Sequence, residues 1–129
     1  MVKRKTILIV DDELGVREFL SENLKQNGYE ACTAADGREG FEAAFRIKPD
    51  LILLDVIMPV MDGWQMLSKL RAQDKTKNIP VVMLTAKSET ESLFKSQERK
   101  VLDYFVKPVD SKELLHFVKR YVDLSETDS

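Results

Sequence analysis

The sequence has 129 residues, of which 43% are apolar and 33% are charged, which is typical of one globular domain that buries a core without disulfides or a structural metal. Its 20 basic and 22 acidic residues nearly balance, and the net charge of -2 argues against nucleic acid as a partner. No stretch approaches the roughly 20 apolar residues of a membrane span, and the first apolar run is too short for a signal peptide, so we expect a cytoplasmic protein.

Five short runs rich in β-branched residues or leucine predict strands. They are residues 6–10 (TILIV), 30–34 (EACTA), 50–55 (DLILLD), 79–85 (IPVVMLT) and 102–106 (LDYFV). Three of these runs are almost continuously apolar, as in parallel strands that helices cover on both faces.

The segments between the runs predict helices. The first helix has one apolar stripe, expected to be buried, and should end at Asn27-Gly28; the stripe contains Val16, Phe19, Leu20 and Leu24. Later helix starts are indicated by a capping side chain followed three positions on by an acid or amide. These pairs are Asp36 with Glu39, Asp62 with Gln65, Ser88 with Glu91, and Asp110 with Glu113.

Strict alternation of strand and helix predicts a doubly wound α/β domain with five parallel strands and five helices, (βα)5 in count. The last helix shows an apolar face formed by Leu114, Val118, Tyr121 and Val122. We expect one domain over residues 1–123 and a frayed tail over 124–129.

Polar residues stand where four of the strands end. Asp11-Asp12 follow the first strand, Asp55 ends the third, Thr85-Ala86 end the fourth, and Lys107-Pro108 follow the fifth. Because ligands bind beyond the carboxyl ends of parallel strands, these residues are expected to converge on one edge of the sheet.

Three carboxylates this close would raise one another's pKa unless a cation compensates them, so the cluster predicts a divalent ion. Oxygen ligands favour Mg²⁺ or Mn²⁺, and Mg²⁺ leaves room for a phosphate oxygen. Lys107 would supply a point charge and Thr85 a hydroxyl donor for a phosphoryl group. A carboxylate in such a site can act as the nucleophile and form an aspartyl phosphate.

Four motifs in order, ILIVDDE, DLILLDVIMPVMDG, VVMLTA and DYFVKP, resemble the successive signatures of the response-regulator receiver domain of bacterial two-component signalling. The resemblance covers residues 5 to 122. It implies that Asp55 accepts phosphate from a phosphohistidine. It also implies that Asp12 binds the metal directly, Asp11 largely through water, and Ile57 through its carbonyl. Thr85, the amide of Ala86 and Lys107 would hold the phosphoryl oxygens.

The same resemblance implies a flavodoxin-like sheet of order 2-1-3-4-5 and a cis peptide between Lys107 and Pro108. It also implies a switch in which Tyr104 turns inward when Thr85 moves toward the phosphate. The output surface would be the fourth helix, fifth strand and fifth helix of the pattern. One departure is Lys100-Val101 where the family usually has Gly-Ala, so we expect the fourth helix to be short or displaced.

The expected function is a phosphoacceptor. Its donor would be a sensor histidine kinase or a histidine phosphotransfer protein, and its output would be a downstream protein target. Because no sequence follows the fifth helix for an output domain, the signal is expected to leave by protein contact or by onward phosphorelay. The protein would catalyse only its own phosphorylation and dephosphorylation, and no organic cofactor is expected.

Two alternatives stay open. A Mg²⁺-dependent aspartyl phosphotransferase or phosphatase of the haloacid dehalogenase type would need a second acid two residues beyond the nucleophile, where this chain has Ile57. A receiver-like binding module that is never phosphorylated is disfavoured because all the site residues are present. The resemblance also implies that the histidine donor meets the start of the first helix, at Gly15, Val16 and Phe19 beside the acidic pocket, although packing is the expected role of Phe19. Glu13 is expected to be solvated and outside the site.

Overall fold

The protein forms one five-stranded parallel sheet, seen in a computed structural model that describes residues 4–86 and 101–123. The strand order is β2-β1-β3-β4-β5, as predicted. The strands are β1 (Thr6–Val10), β2 (Glu30–Ala34), β3 (Leu51–Asp55), β4 (Val81–Thr85) and β5 (Asp103–Val106).

Helices follow the strands along the chain. Those within the described residues are α1 (Leu14–Gln26), α2 (Gly37–Ile47), α3 (Gly63–Arg71) and α4 (Ser111–Val118), and α4 continues as a π-helical turn, Lys119–Asp123. The helix predicted to start at Ser88, the expected shortening of that helix near Lys100, and the tail 124–129 lie outside the described residues.

Side chains of each strand alternate between two apolar layers, because successive residues of a strand point to opposite faces. In β1, Leu8 and Val10 pack with residues of α2 and α3, such as Ala44 and Met66. Ile7 and Ile9 pack on the other face with residues of α1 and α4, which include Leu20, Leu24, Leu114 and Val118. The near-continuous apolar character of the strands thus reflects a sheet covered on both faces.

The local signals for helix ends are confirmed where the structure describes them. Asp36 accepts a hydrogen bond from the Glu39 amide, and Asp62 forms a complete capping box with Gln65. Asp110 accepts from the Glu113 amide. At the end of α1, Asn27 caps the helix and Gly28 has a φ of 92°, a conformation that glycine adopts without strain.

One residue of the predicted buried stripe on α1 lies elsewhere. Leu20 and Leu24 are buried, but Phe19 is 44% exposed, so the expectation of packing for Phe19 was wrong. The α1 surface has to cover only one side of the sheet, and Phe19 falls at the edge of that contact. No helix within residues 4–86 and 101–123 is long and apolar enough to cross a bilayer.

Val60 occupies a strained turn in the loop between β3 and α3. Its φ is 68°, and the Met61 amide donates a 2.7 Å hydrogen bond to the carbonyl of Pro59, which closes a γ-turn around Val60. A β-branched residue is unfavourable at positive φ. The Val60 side chain is also 77% exposed, so little burial offsets the strain.

Replacing Val60 with glycine should therefore stabilise the protein. Glycine has no Cβ and adopts positive φ without steric strain, and we expect Val60→Gly to raise the free energy of unfolding by about 1 kcal/mol. Urea unfolding followed by circular dichroism would measure the change. Val60→Thr is the matched control, because it makes the side chain less apolar but is still β-branched, and an equal gain in that variant would contradict the explanation from the backbone.

Candidate functional site

The site lies where the strand order reverses, beyond the carboxyl ends of β1 and β3. β1 pairs with both β2 and β3. The connection that follows β1 therefore runs to one side of the sheet, to β2, and the connection that follows β3 runs to the other side, to β4. The register aligns Val10 with Leu54 and Thr85 with Val106. This alignment brings the residues that follow the strands to one edge.

Three carboxylates meet at this edge. Asp11, Asp12 and Asp55 each offer one oxygen, and these three oxygens lie within 4.8 Å of one another. Asp11 and Asp55 are buried, whereas Asp12 is exposed. The structure therefore brings together the three acids that the sequence places after β1 and at the end of β3.

Lys107 supplies the positive charge of the cluster. Its Nζ lies 2.7 Å from Asp11 Oδ2, 3.3 Å from Asp55 Oδ1 and 3.8 Å from Glu13 Oε1. The backbone N–H of Lys107 donates to the Thr85 carbonyl at 2.8 Å, which fixes the start of the loop after β5. Glu13 is exposed, as expected, and its carboxylate faces the same ammonium from the solvent side.

The remaining predicted residues surround this core. Thr85 is fully buried, and its hydroxyl donates a 3.1 Å hydrogen bond to the carbonyl of Ala86. The peptide bond between Lys107 and Pro108 is cis. Tyr104 lies on β5 and is 41% exposed, so in this structure its ring is turned outward. Ile57 is exposed in the loop after β3.

Burial and the neighbouring acid raise the pKa of Asp55 to about 7. Loss of water is the larger cause and the charge of Asp11 is the next, and Lys107 opposes both. At Lys107 burial lowers the pKa, but the carboxylates of Asp11 and Asp55 outweigh burial and hold the pKa above its usual value. The lysine thus carries its charge at neutral pH, while Asp55 is poised between its two forms.

The donor set fits a hard divalent cation. All the converging ligand atoms are carboxylate oxygens, the type that Mg²⁺ and Mn²⁺ prefer. Lys107 pairs with Asp11 and Asp55, and Asp12 adds a third carboxylate, so the acids of the cluster outnumber its ammonium. Asp11 Oδ2 is buried and meets the lysine as an ion pair without accepting a hydrogen bond from the described residues.

Gly63 is a residue of the site that sequence reasoning missed. A Cβ on Gly63 would overlap the backbone carbonyl oxygen of Asp55. The Gly63 amide also donates a 2.8 Å hydrogen bond to the carbonyl of Val56. The start of α3 therefore packs directly on the backbone of Asp55, and the signal available in the sequence was a glycine immediately after the capping residue Asp62.

The model of the response regulator receiver domain family matches residues 7–119. The chain belongs to this family. It is a receiver domain of two-component signalling. Some of its relatives are of similar length, and others are about twice as long. It is 38% identical over 118 residues to sporulation initiation phosphotransferase F of Bacillus subtilis, covering 92% of this chain and 94% of that one. It is 40% identical over 122 residues to the B. subtilis regulator PhoP, covering 95% of this chain but only 50% of PhoP.

Solved receiver structures have the same fold. Chemotaxis protein CheY4 of Vibrio cholerae superposes with a TM-score of 0.85 at 34% identity, covering 92% of this receiver and 99% of that chain. The receiver domain of the sensor histidine kinase PA1611 of Pseudomonas aeruginosa has a TM-score of 0.85 at 28% identity and covers 94% of this chain and 99% of its own. That structure has a magnesium ion coordinated in its active-site cleft.

The raised pKa of Asp55 predicts a pH-dependent cost to stability. Because the folded receiver holds this proton up to about pH 7 and the unfolded chain releases it near 3.8, Asp55 stabilises the fold at low pH, and this contribution is lost as pH rises through 7. Asp55→Asn keeps the side chain neutral at all pH values. In EDTA its stability advantage over the wild type should be small at pH 4 and about 4 kcal/mol at pH 8, since each pKa unit corresponds to about 1.4 kcal/mol.

Urea unfolding at a series of pH values would measure this difference. Asp74→Asn is the control, because Asp74 is an exposed partner of Lys77 far from the site, and its variant should show no such trend. An advantage of Asp55→Asn that does not change with pH would contradict the assignment.

Proposed function

We propose that this receiver accepts a phosphoryl group on Asp55 from a phosphohistidine in a reaction that needs Mg²⁺ or Mn²⁺. The observation that carries the proposal is the position of the Asp55 carboxylate, which lies at the switch point of the sheet, 3.3 Å from the Lys107 ammonium and beside two further acids. The family match supports the same chemistry.

Asp11, Asp12, Asp55 and the carbonyl of Ile57 would hold the metal ion. When bound, the ion supplies positive charge that offsets the carboxylates and the charge on the phosphoryl oxygens. The three acids are those that the structure brings together in one cluster. The assignment of the Ile57 carbonyl rests on the family resemblance.

In the transfer, one carboxylate oxygen of Asp55 forms a bond to phosphorus while the bond from phosphorus to the histidine nitrogen breaks and its electron pair stays on the imidazole. Asp55 must be ionised to attack, and Lys107 favours that form. The ammonium of Lys107, the amide of Ala86 and the hydroxyl of Thr85 would then bind the phosphoryl oxygens. For this the Thr85 hydroxyl leaves the Ala86 carbonyl, to which it now donates.

The switch would follow from that movement. When the Thr85 side chain turns toward the phosphate, it vacates space beside β5, and Tyr104 would rotate from its exposed position into that space. β5 is one of the two edge strands of the sheet, so such a change would alter a surface open to partners. We propose that the signal leaves by this protein contact or by onward phosphorelay. The relay is favoured by the similarity to a B. subtilis protein that is named a phosphotransferase.

The proposed activity is limited to the protein's own phosphorylation and dephosphorylation. The proposed domain extends over residues 1–123, since the family match ends at residue 119 and the following π-helical turn buries Val122 in the core. The tail 124–129 and a cytoplasmic location stay predictions from the sequence.

Acetyl phosphate tests the proposed phosphorylation directly. Incubation with acetyl phosphate and Mg²⁺ should add the mass of one phosphate to the intact protein, and EDTA should prevent the addition. Asp55→Asn should remain unmodified and Asp74→Asn should be modified like the wild type. A phosphate that still appears on Asp55→Asn would overturn the proposal, as would no modification of the wild type.

A groove beside the acids suits the phosphohistidine donor. A cavity of about 570 Å³ lies between α1 and the loop after β5, and Val16, Phe19, Pro108 and Val109 give it an apolar lining. Lys107 and Glu13 line it too, so it adjoins the carboxylate cluster. We propose that an apolar helix face of the histidine kinase or histidine phosphotransfer protein rests in this groove while its phosphohistidine reaches Asp55.

A charge in the groove should block the protein donor and spare the small one. We expect Phe19→Glu to slow transfer from a phosphorylated histidine phosphotransfer domain by about tenfold or more, because a carboxylate would be buried against an apolar surface. Its rate with acetyl phosphate should be unchanged. Phe45→Glu is the matched control, since Phe45 is 39% exposed on α2. Equal slowing by both variants, or with both phosphate sources, would refute the docking site.

A further inference from the structure

Arg17 makes a contact that none of the roles above explains. It lies in the first turns of α1, is half-buried, and its Nη1 donates a 2.7 Å hydrogen bond to the backbone carbonyl of Asp11. A hydrogen bond from a charged donor is shorter and stronger than a neutral one. The acceptor belongs to a fully buried residue, whose carbonyl would be costly to leave without a donor.

Asp11 is held at each of its polar atoms. Its N–H donates to the Ala34 carbonyl at 3.1 Å, and its Oδ1 accepts from the Glu13 amide at 2.9 Å. Its Oδ2 meets Lys107, and its carbonyl oxygen accepts from Arg17. Two of these four contacts come from the start of α1, where the N-cap residue Glu13 makes no side-chain capping bond. The beginning of α1 is thus fastened to Asp11 by other means.

The carbonyl of Asp11 also determines where Asp12 begins. The carbonyl of Asp11 and the N and Cα atoms of Asp12 share one planar peptide unit, so fixing the oxygen restricts the position of the next Cα. Asp12 itself is exposed, whereas Asp11 is buried on every side. The guanidinium, a rigid planar group, therefore holds the one peptide unit that joins the two consecutive acids of the cluster.

We propose that Arg17 is a positioning residue, which holds the Asp11-Asp12 peptide so that the Asp12 carboxylate is set for a divalent cation. This inference rests on the proposed function, because it requires that the cluster binds such an ion. Arg17 would act through Asp11 and Asp12 and would touch neither the ion nor the phosphoryl group. Partners of this kind around a metal site commonly change the affinity for the metal when they are replaced.

Electrostatics and positioning predict opposite effects when the guanidinium is removed. Arg17 is a cation next to the cluster, so by charge alone its removal should tighten the binding of a second cation. If its role is to hold the peptide, its removal should weaken binding despite the more favourable charge. Arg17→Lys further distinguishes the electrostatic effect from the positioning effect. It keeps the positive charge but loses the planar guanidinium that reaches the carbonyl, so only the positioning effect predicts weaker binding.

The experiment is a Mg²⁺ titration of the whole receiver followed by amide chemical shifts in NMR spectra. We expect Arg17→Met to bind Mg²⁺ about tenfold more weakly than the wild type, and Arg17→Lys to be weakened as well. In the metal-free spectra, the Glu13 amide, which donates to Asp11, should shift in both variants.

Arg71→Met is the matched control. The Nη1 of Arg71 donates to the backbone carbonyls of Lys77 and Ile79 at 3.0 and 2.9 Å, which is the same type of contact away from the acids. This variant should lose stability and keep its affinity for Mg²⁺. Urea unfolding of all variants would show that they are folded, and Arg17→Lys alone decides the matter if Arg17→Met does not fold.

The outcomes separate this inference from the function on which it rests. If the wild type binds Mg²⁺ and the Arg17 variants bind it equally well or more tightly, the positioning role is overturned. The phosphoacceptor proposal would not be affected by that result. Equal weakening in Arg71→Met would overturn it too, because the effect would then follow general stability. A wild type that neither binds Mg²⁺ nor gains phosphate from acetyl phosphate would overturn both.

Discussion

The ion pairs of Lys107 with Asp11 and Asp55 are the interactions on which the functional edge of the sheet depends. Two buried carboxylates in the same place would repel each other and would cost several kcal/mol if left without a cation. The ammonium compensates part of that charge, and the cluster keeps an excess of negative charge. The ion pairs therefore limit the loss of stability that the buried acids cause. The uncompensated negative charge can still attract a divalent ion.

The loops around the ion pairs are built for close approach to the backbone. Gly63 lets α3 start against the carbonyl of Asp55, and Gly37 lets α2 start against the carbonyl of Met61, where any Cβ would overlap the oxygen. Between Pro59 and Met61 the chain passes through the γ-turn at Val60. Strain is tolerated here because the glycine contacts and the capping box at Asp62 determine the course of the loop from both sides.

Much of the fold and of the site was readable from the sequence because its signals are local. Apolar runs such as TILIV mark strands that are covered on both faces, and the capping box of Asp62 and Gln65 marks a helix start through bonds made within four residues. The convergence of Asp11, Asp55 and Lys107 followed from one rule, that parallel strands have their carboxyl ends at a common edge. The order of the strands, and the roles of the individual side chains, came from the resemblance to a family.

The sequence by itself determined the elements, their alternation and the acids that follow β1 and β3, since each depends on residues that are near neighbours along the chain. Only the tertiary structure decided that Phe19 lines a groove and that Arg17 holds the Asp11 carbonyl. It also brings Glu13 close to Lys107, although the two residues are far apart in the sequence. These contacts depend on the angle at which α1 lies on the sheet and on where the loop after β5 passes. Such quantities are set by the packing of whole elements, which no short pattern of residues encodes.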